Sequence, residues 1–280
     1  MAAASFKSLS LDVHSSGVAH LRLSRPHASN AMDLDMFREL PIAVASADDD
    51  PSVRVVIISG QGKHFCAGID LQTLSDIASA PGSLPSKAEC EGRKREAFRR
   101  QIVAMQESLS ALERCRKPII AAIHGACVGG GVDLATACDV RFASSDARFA
   151  VKEVDLAITA DLGTLQRLPR LVGYGNAMHL ALTARPVDAD EALRLGLVQG
   201  VWATREELMA HVQGVAEAIA RKSPLAVAGT KAVLRHARDH SVADGLQFVA
   251  TWNAAMLLSD DLTAAVAALA TRKQATFSRL

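Results

Sequence analysis

Apolar positions along this chain fall into three patterns, and each predicts a different element. Residues 9–14 and Val18–Leu23 (VAHLRL) are short and alternating with Ser-Ser-Gly between them, which predicts a β-hairpin. Residues 53–60 (VRVVIISG) and 118–124 are nearly continuous apolar runs, the pattern of buried strands. Residues 139–143 and 148–151 read as further short strands. Longer stretches have helical spacing. One begins near Asp33, a plausible N-cap, and ends at Asp48-Asp49-Asp50-Pro51. A charged helix is expected over 92–116, and a short apolar one after the glycines at 129–131. Between them, residues 77–91 (IASAPGSLPSKAECE) combine Pro, Gly and Ser and read as a mobile surface loop.

The order strand, strand, helix therefore recurs, which predicts an α/β core rather than a plainly alternating doubly wound sheet. Beyond about Thr204 the pattern changes to four amphipathic helical stretches, 204–221, 224–238, 242–258 and 260–277. We divide the chain on this basis into a core, 1–203, and a helical region, 204–280, docked on the core or on a neighbouring subunit.

Composition narrows the possible partners. The 280 residues are 49% hydrophobic, enough for a sizeable core. A net charge of +1 and a pI near 7.7 argue against a surface that grips nucleic acid or anionic membrane as a whole. The five cysteines are odd in number and form no CxxC pair, so reduced intracellular thiols are expected rather than a disulfide framework. No secretory signal is evident in MAAASFKSLSLDVHSS, and no run is long and apolar enough to span a bilayer. Ser278-Arg279-Leu280 is a conservative variant of the S-K-L peroxisomal address, so recognition by the peroxisomal import receptor is expected.

Several candidate motifs fall short. GQGKHFCAG lacks both the dinucleotide-binding spacing and the Ser or Thr of a P-loop. His236 and His240 have zinc-compatible spacing, but no third ligand is suggested nearby, and a solvated helix face accounts for them; no metal is expected. Two glycine-bearing turns each follow a buried strand, HFCAGIDL at 64–71 and HGACVGGGVDL at 124–134. They are either tight packing turns or places where free backbone amides converge on a ligand as an oxyanion hole. FAVKEVDLAITADLGTLQRLP, residues 149–169, places Glu153, Asp155 and Asp161 among apolar residues, where unpaired acids are expensive to bury.

FCAGIDL, HGACVGGGVDLATACDVRFA and FAVKEVDLAITADLGTLQRLPRLVG together resemble the crotonase, or enoyl-CoA hydratase/isomerase, superfamily, and LSRPHASNAMD also fits. The resemblance covers nearly the whole chain. It implies a crotonase-like spiral of ββα units followed by a helical trimerisation region, and an assembly of three chains or of two such trimers. It implies an acyl-CoA thioester substrate, no cofactor beyond that coenzyme A, and an enolate held by the amides of Ile69 and Gly130. Substrate contacts are implied at Gly68, Ile69, Asp70, Leu71, Gln72, Gly130 and Gly131.

Within the superfamily, hydratases hold water between two glutamates at the positions of Asp133 and Glu153, and typically have glycine where this chain has Asp161. The set Asp133, Glu153 and Asp161 instead resembles the dienoyl-CoA isomerase branch. That resemblance implies Glu153 as the base at C2, Asp161 as the acid at C6, and Asp133 as a carboxylate that hydrogen-bonds or tunes its neighbours. Crowded carboxyls in an apolar pocket should include one that stays protonated near neutrality. The competing reading of Asp161 is an N-cap for a helix starting at Leu162. Asp155 is expected to be structural, paired to a basic side chain. Hydration or Δ3-Δ2 isomerisation of enoyl-CoA are the alternative activities. RNA binding through the basic cluster at 93–100 is the alternative class, and a solvated helix face explains that cluster as well.

Overall fold

The computed structural model describes residues 6–79 and 90–280. The first half runs β1 (Leu9–Val13), β2 (Val18–Leu23), α1 (Leu34–Asp49), β3 (Val55–Gly60), α2 (Leu71–Ser79), α3 (Glu91–Arg114), β4 (Ile119–Ile123), β5 (Ala126–Val128), α4 (Gly130–Ala137), β6 (Val140–Ser144) and β7 (Arg148–Ala150). The second half runs α5 (Thr164–Val172), α6 (Tyr174–Thr183), β8 (Val187–Asp188), α7 (Ala189–Leu195), β9 (Val201–Trp202), α8 (Arg205–Ala220), α9 (Pro224–Ala237), α10 (Val242–Met256) and α11 (Asp260–Thr271).

The larger sheet has the order β1-β2-β3-β4-β6-β9. Only the β1–β2 hairpin is antiparallel, with Leu9 opposite Leu23; the other pairings are parallel. Its central strands read as unbroken apolar runs because both faces are covered. Val56, Ile58, Ile119 and Ala121 point into the main core with residues of α1 and α3. Their neighbours Val55, Ile57, Ile120 and Ala122 point the other way, against Leu208, Val212 and Ala216 of α8. Alternation along a strand thus feeds two cores rather than one core and solvent.

A smaller sheet, β5-β7-β8, stands beside it, and an isolated bridge from Cys66 to Cys127 extends it toward the segment after β3. This bridge brings together the two glycine turns of the sequence. The turns are therefore neighbours in space although 60 residues separate Gly68 and Val128 in the numbering.

Asp33 caps α1 as expected, accepting from the Met36 amide at 2.7 Å. The last helix stops at Thr271, six residues short of the expected 277, where Arg272 adopts a left-handed conformation. The expected loop at 77–91 is corrected at both ends. Residues 77–79 finish α2 and Glu91 opens α3; residues 80–89 lie outside the described part. Helices α6 and α7 have no counterpart in the sequence reading, and α5 starts at Thr164 rather than at Leu162. Among the described residues no single helix is long and apolar enough to cross a membrane, and the α10–α11 pair, which would suffice in composition, is bent by 83°.

Candidate functional site

The turn after β3 is braced from the segment before α1. Asn30 is fully buried and donates to the carbonyls of Gln61 (2.8 Å) and His64 (2.7 Å), while its own Oδ1 accepts from the Arg25 amide (2.9 Å). Met32 then pairs with the strand-like segment around Ile69. Its amide donates to Gly68 O at 2.8 Å, and its carbonyl accepts from Asp70 N at 3.0 Å. Successive amides of an extended segment point to opposite sides, so pairing through residues 68 and 70 turns the Ile69 N–H away from Met32. Gly68 has φ +104°, a conformation that favours glycine.

The second amide comes from α4. Gly129 sits at φ +50° and donates to Ala150 O at 2.9 Å, which ends the strand-like course and starts the helix. Gly130 is then the first helical residue, where an amide has no intrahelical acceptor. Among the described residues neither the Ile69 nor the Gly130 N–H has a hydrogen-bond partner. A Cβ placed on Gly130 would lie 3.7 Å from Ile69 N, so the two amides are adjacent. Two free amides beside a helix N-terminus form a receptor for developing negative charge.

The carboxylates gather next to it. Glu153 opens a 3₁₀ turn, Glu153–Leu156, and is buried. Its Oε1 lies 3.4 Å from the position of a Cβ on Gly129, which sets it beside the amide pair; its Oε2 has no partner. Burial first, and the charge of Asp133 second, push the Glu153 carboxyl up to about 7. Asp133 is buried on α4, and burial raises it to about 6 against the hydrogen bonding of Thr164. Its Oδ1 accepts from the Thr164 amide at 2.6 Å, the first residue of α5. Asp161 stands in the segment between the 3₁₀ turn and α5, on the open side of the site, and partial burial raises its carboxyl above the ordinary value. Asp161 adds a minor upward contribution to both other acids.

Two readings of the acidic stretch are settled by this geometry. Asp161 is not the helix cap: α5 begins at Thr164, its cap position is Gly163, and the capping carboxylate comes from Asp133 across the site. Asp155 lies in the 3₁₀ turn Glu153–Leu156. It is exposed and paired with Lys152 at 2.8 Å, as a structural residue should be.

The remaining candidates divide. Gly68, Ile69, Gly130 and Gly131 are brought together. Asp70 instead faces Arg25 (3.0 Å) and caps α2 through the Gln72 amide (3.0 Å). Burial works against its ionisation, but those partners outweigh it and hold it below the ordinary carboxylate value. Leu71 is exposed, and Gln72 donates to Asp76 at 2.8 Å on the surface of α2. In the basic cluster of α3, Lys94 pairs with Glu91, and Glu96 takes both Arg99 and Arg100. His236 and His240 stack on each other with ring centroids 3.7 Å apart. Thr164, Gln106 and Arg167 touch the site's framework and carried no local motif that would have revealed them.

Residues 13–279 match the family model described as Enoyl-CoA hydratase/isomerase. The chain is 56% identical over 265 residues to a protein of Arabidopsis thaliana named peroxisomal Delta(3,5)-Delta(2,4)-dienoyl-CoA isomerase, covering 95% of this chain and 94% of that one. It is 44% identical over 281 residues to the human mitochondrial protein of the same activity, covering 99% of this chain and 84% of that one. Among solved structures, an enoyl-CoA hydratase from Bacillus anthracis superposes with a TM-score of 0.86 at 29% identity, covering 97% of this chain and 99% of that one.

Proposed function

The chain belongs to the enoyl-CoA hydratase/isomerase family, and from that membership we propose that it converts 3,5-dienoyl-CoA thioesters into their 2,4-dienoyl isomers in fatty-acid β-oxidation. The thioester oxygen sits between the Ile69 and Gly130 amides. Ionised Glu153 takes a proton from C2, and the resulting charge spreads over the thioester oxygen, C2, C4 and C6. The two amides and the α4 N-terminus stabilise the oxygen end. Protonated Asp161 then delivers a proton to C6. The C3=C4 and C5=C6 bonds become C2=C3 and C4=C5, one proton is lost and one gained, and no oxidation state changes. The route therefore calls for no cofactor beyond the coenzyme A of the substrate.

The observation that carries this reading is the engagement of Asp133. A hydratase reading needs a second carboxylate beside Glu153 to hold water, and here that position spends an oxygen on the Thr164 amide at 2.6 Å. Glu153 is left to act as a lone base, raised to about 7 and so matched to proton abstraction near neutrality. Purified protein incubated with 3,5-octadienoyl-CoA should develop the ultraviolet absorbance of a 2,4-diene. Rapid hydration of crotonyl-CoA with no diene signal would make it a hydratase instead.

We further propose that the helical region, 204–280, assembles the chain into trimers or pairs of trimers. Neither α10 nor α11 buries a residue, and Val242, Leu246, Leu258 and Leu269 are more than half exposed. Light scattering on the purified protein tests this; a monomer would contradict it. Peroxisomal import through Ser278-Arg279-Leu280 is supported by the peroxisomal relative, while other relatives are mitochondrial. A fluorescent fusion lacking these three residues should stay outside peroxisomes.

A further inference from the structure

We infer that Gln106 on α3 and Arg167 on α5 are positioning residues for Asp161, an inference that rests on the acid role proposed above. Among the described residues no other residue hydrogen-bonds the Asp161 carboxyl, and its own backbone amide is the one donor to it, so the aim of the carboxyl depends on how that backbone is held. That backbone crosses from the 3₁₀ turn to α5 through Ala157 (φ +58°) and Gly163 (φ +123°), with no strand or helix ladder of its own.

Two successive carbonyls of this segment are held by side chains. Gln106 Nε2 donates to Asp161 O at 2.7 Å. Arg167 Nη1 donates to Leu162 O at 3.3 Å, and its Nη2 reaches Ser110 Oγ (3.0 Å) and Glu113 Oε2 (3.2 Å). Gln106, Ser110 and Glu113 are spaced by four and three residues on α3, so they form one polar stripe of a single helix face. The Arg167 and Glu113 side chains are only 12% and 17% exposed, so this pair is far less screened than the surface pairs elsewhere on α3. Gly163 makes room for the guanidinium: a Cβ there would stand 1.8 Å from Arg167 Nη1. The second Glu113 oxygen is taken by Arg238, just past α9, which ties the same clamp to the helical region.

The consequence is a matter of partition. Glu153 is placed by its own turn and by Gly129, on the other side of the site. If Asp161 shifts away from C6 while Glu153 stays in place, the dienolate still forms but returns to the 3,5-diene by reprotonation at C2. Loss of the clamp should therefore uncouple C2 proton exchange from product formation.

The experiment uses full-length Gln106→Met and Arg167→Lys, on two different elements, with 3,5-octadienoyl-CoA in D2O. Deuterium at C2 of recovered substrate and 2,4-diene formation are measured together, with thermal melting to verify folding. Diene formation should fall on the order of tenfold to a hundredfold, the range expected for a catalytic group misplaced by about 1 Å. C2 exchange should stay near the wild-type rate, and KM should change little, so the ratio of exchange to turnover rises. Exchange and turnover falling in parallel, or a ratio equal to wild type in both variants, would overturn the inference. Wild-type protein that forms no diene would instead overturn the isomerase reading itself.

Discussion

Replacing Asp133 by Asn separates a tuning carboxylate from a reacting one. The substitution keeps an oxygen for the Thr164 amide, now 2.6 Å away, and removes only the charge. That charge is the second cause, after burial, of the rise of Glu153 from 4.5 to about 7. Burial accounts for more of that rise than any other cause, so the Asp133 charge is given about 1.4 kcal/mol of it, a tenfold change in the acid constant.

On the roles proposed above the active form has Glu153 ionised and Asp161 protonated, so kcat/KM should be bell-shaped. Glu153 must lose its proton to act, which sets one limb near 7 in the wild type. Without the Asp133 charge that proton leaves more easily, and the limb should move down by about one pH unit. Peak turnover should stay within about tenfold of wild type, because no reacting group is lost. The assay is diene formation at low substrate from pH 5 to 9. A limb that stays in place or moves upward, or a peak as low as that of Glu153→Gln, would refute the tuning role.

Other consequences follow from the same geometry. Glu153→Gln and Asp161→Asn should each reduce isomerase turnover by ~10²–10⁴ while still binding acyl-CoA in calorimetry; near-normal turnover in either removes its assigned role. Asp133 holds its proton more tightly folded (about 6) than unfolded (3.8), so its stabilising contribution is complete below 3.8 and lost as pH rises through 6. The loss amounts to about 3 kcal/mol, so wild-type melting should fall between pH 4 and 7 more than that of Asp133→Asn. Gly131→Ala would put a Cβ 2.7 Å from Cys66 O, so it should destabilise the fold by about 1–3 kcal/mol; an unchanged melting point would contradict this.

How far the molecule was legible in its sequence depended on how local each cause was. The hairpin, the buried strands and the capped α1 follow from alternation, apolar runs and one Asp. The glycine turns were visible as turns, but on spacing alone they could equally have been packing devices. Their convergence requires the Cys66–Cys127 bridge and the Asn30 brace, which join segments far apart in the chain. Helix α2 is short and its last three residues run into the Pro-, Gly- and Ser-rich stretch read as a loop, and the helices between 164 and 195 are short and interrupted by Pro169, Gly173 and Gly175.

Asp161 shows the limit most clearly. Its place before an apolar helical run is what a cap would look like, and local rules favoured a cap. The capping oxygen in fact comes from Asp133, 31 positions before the Thr164 amide that it caps, and that exchange frees Asp161. Asp70 shows the opposite case: it lies inside the FCAGIDL motif, yet Arg25 and the start of α2 occupy its carboxylate.

The central claim is that one proton leaves C2 and another enters C6. It is tested most directly by running 3,5-octadienoyl-CoA to completion in D2O and locating deuterium in the product by NMR. The account predicts a 2,4-diene carrying deuterium at C6, absent when Asp161 is replaced by Asn under the same conditions. A 3-hydroxyacyl product, or a diene with no deuterium at C6, would contradict it.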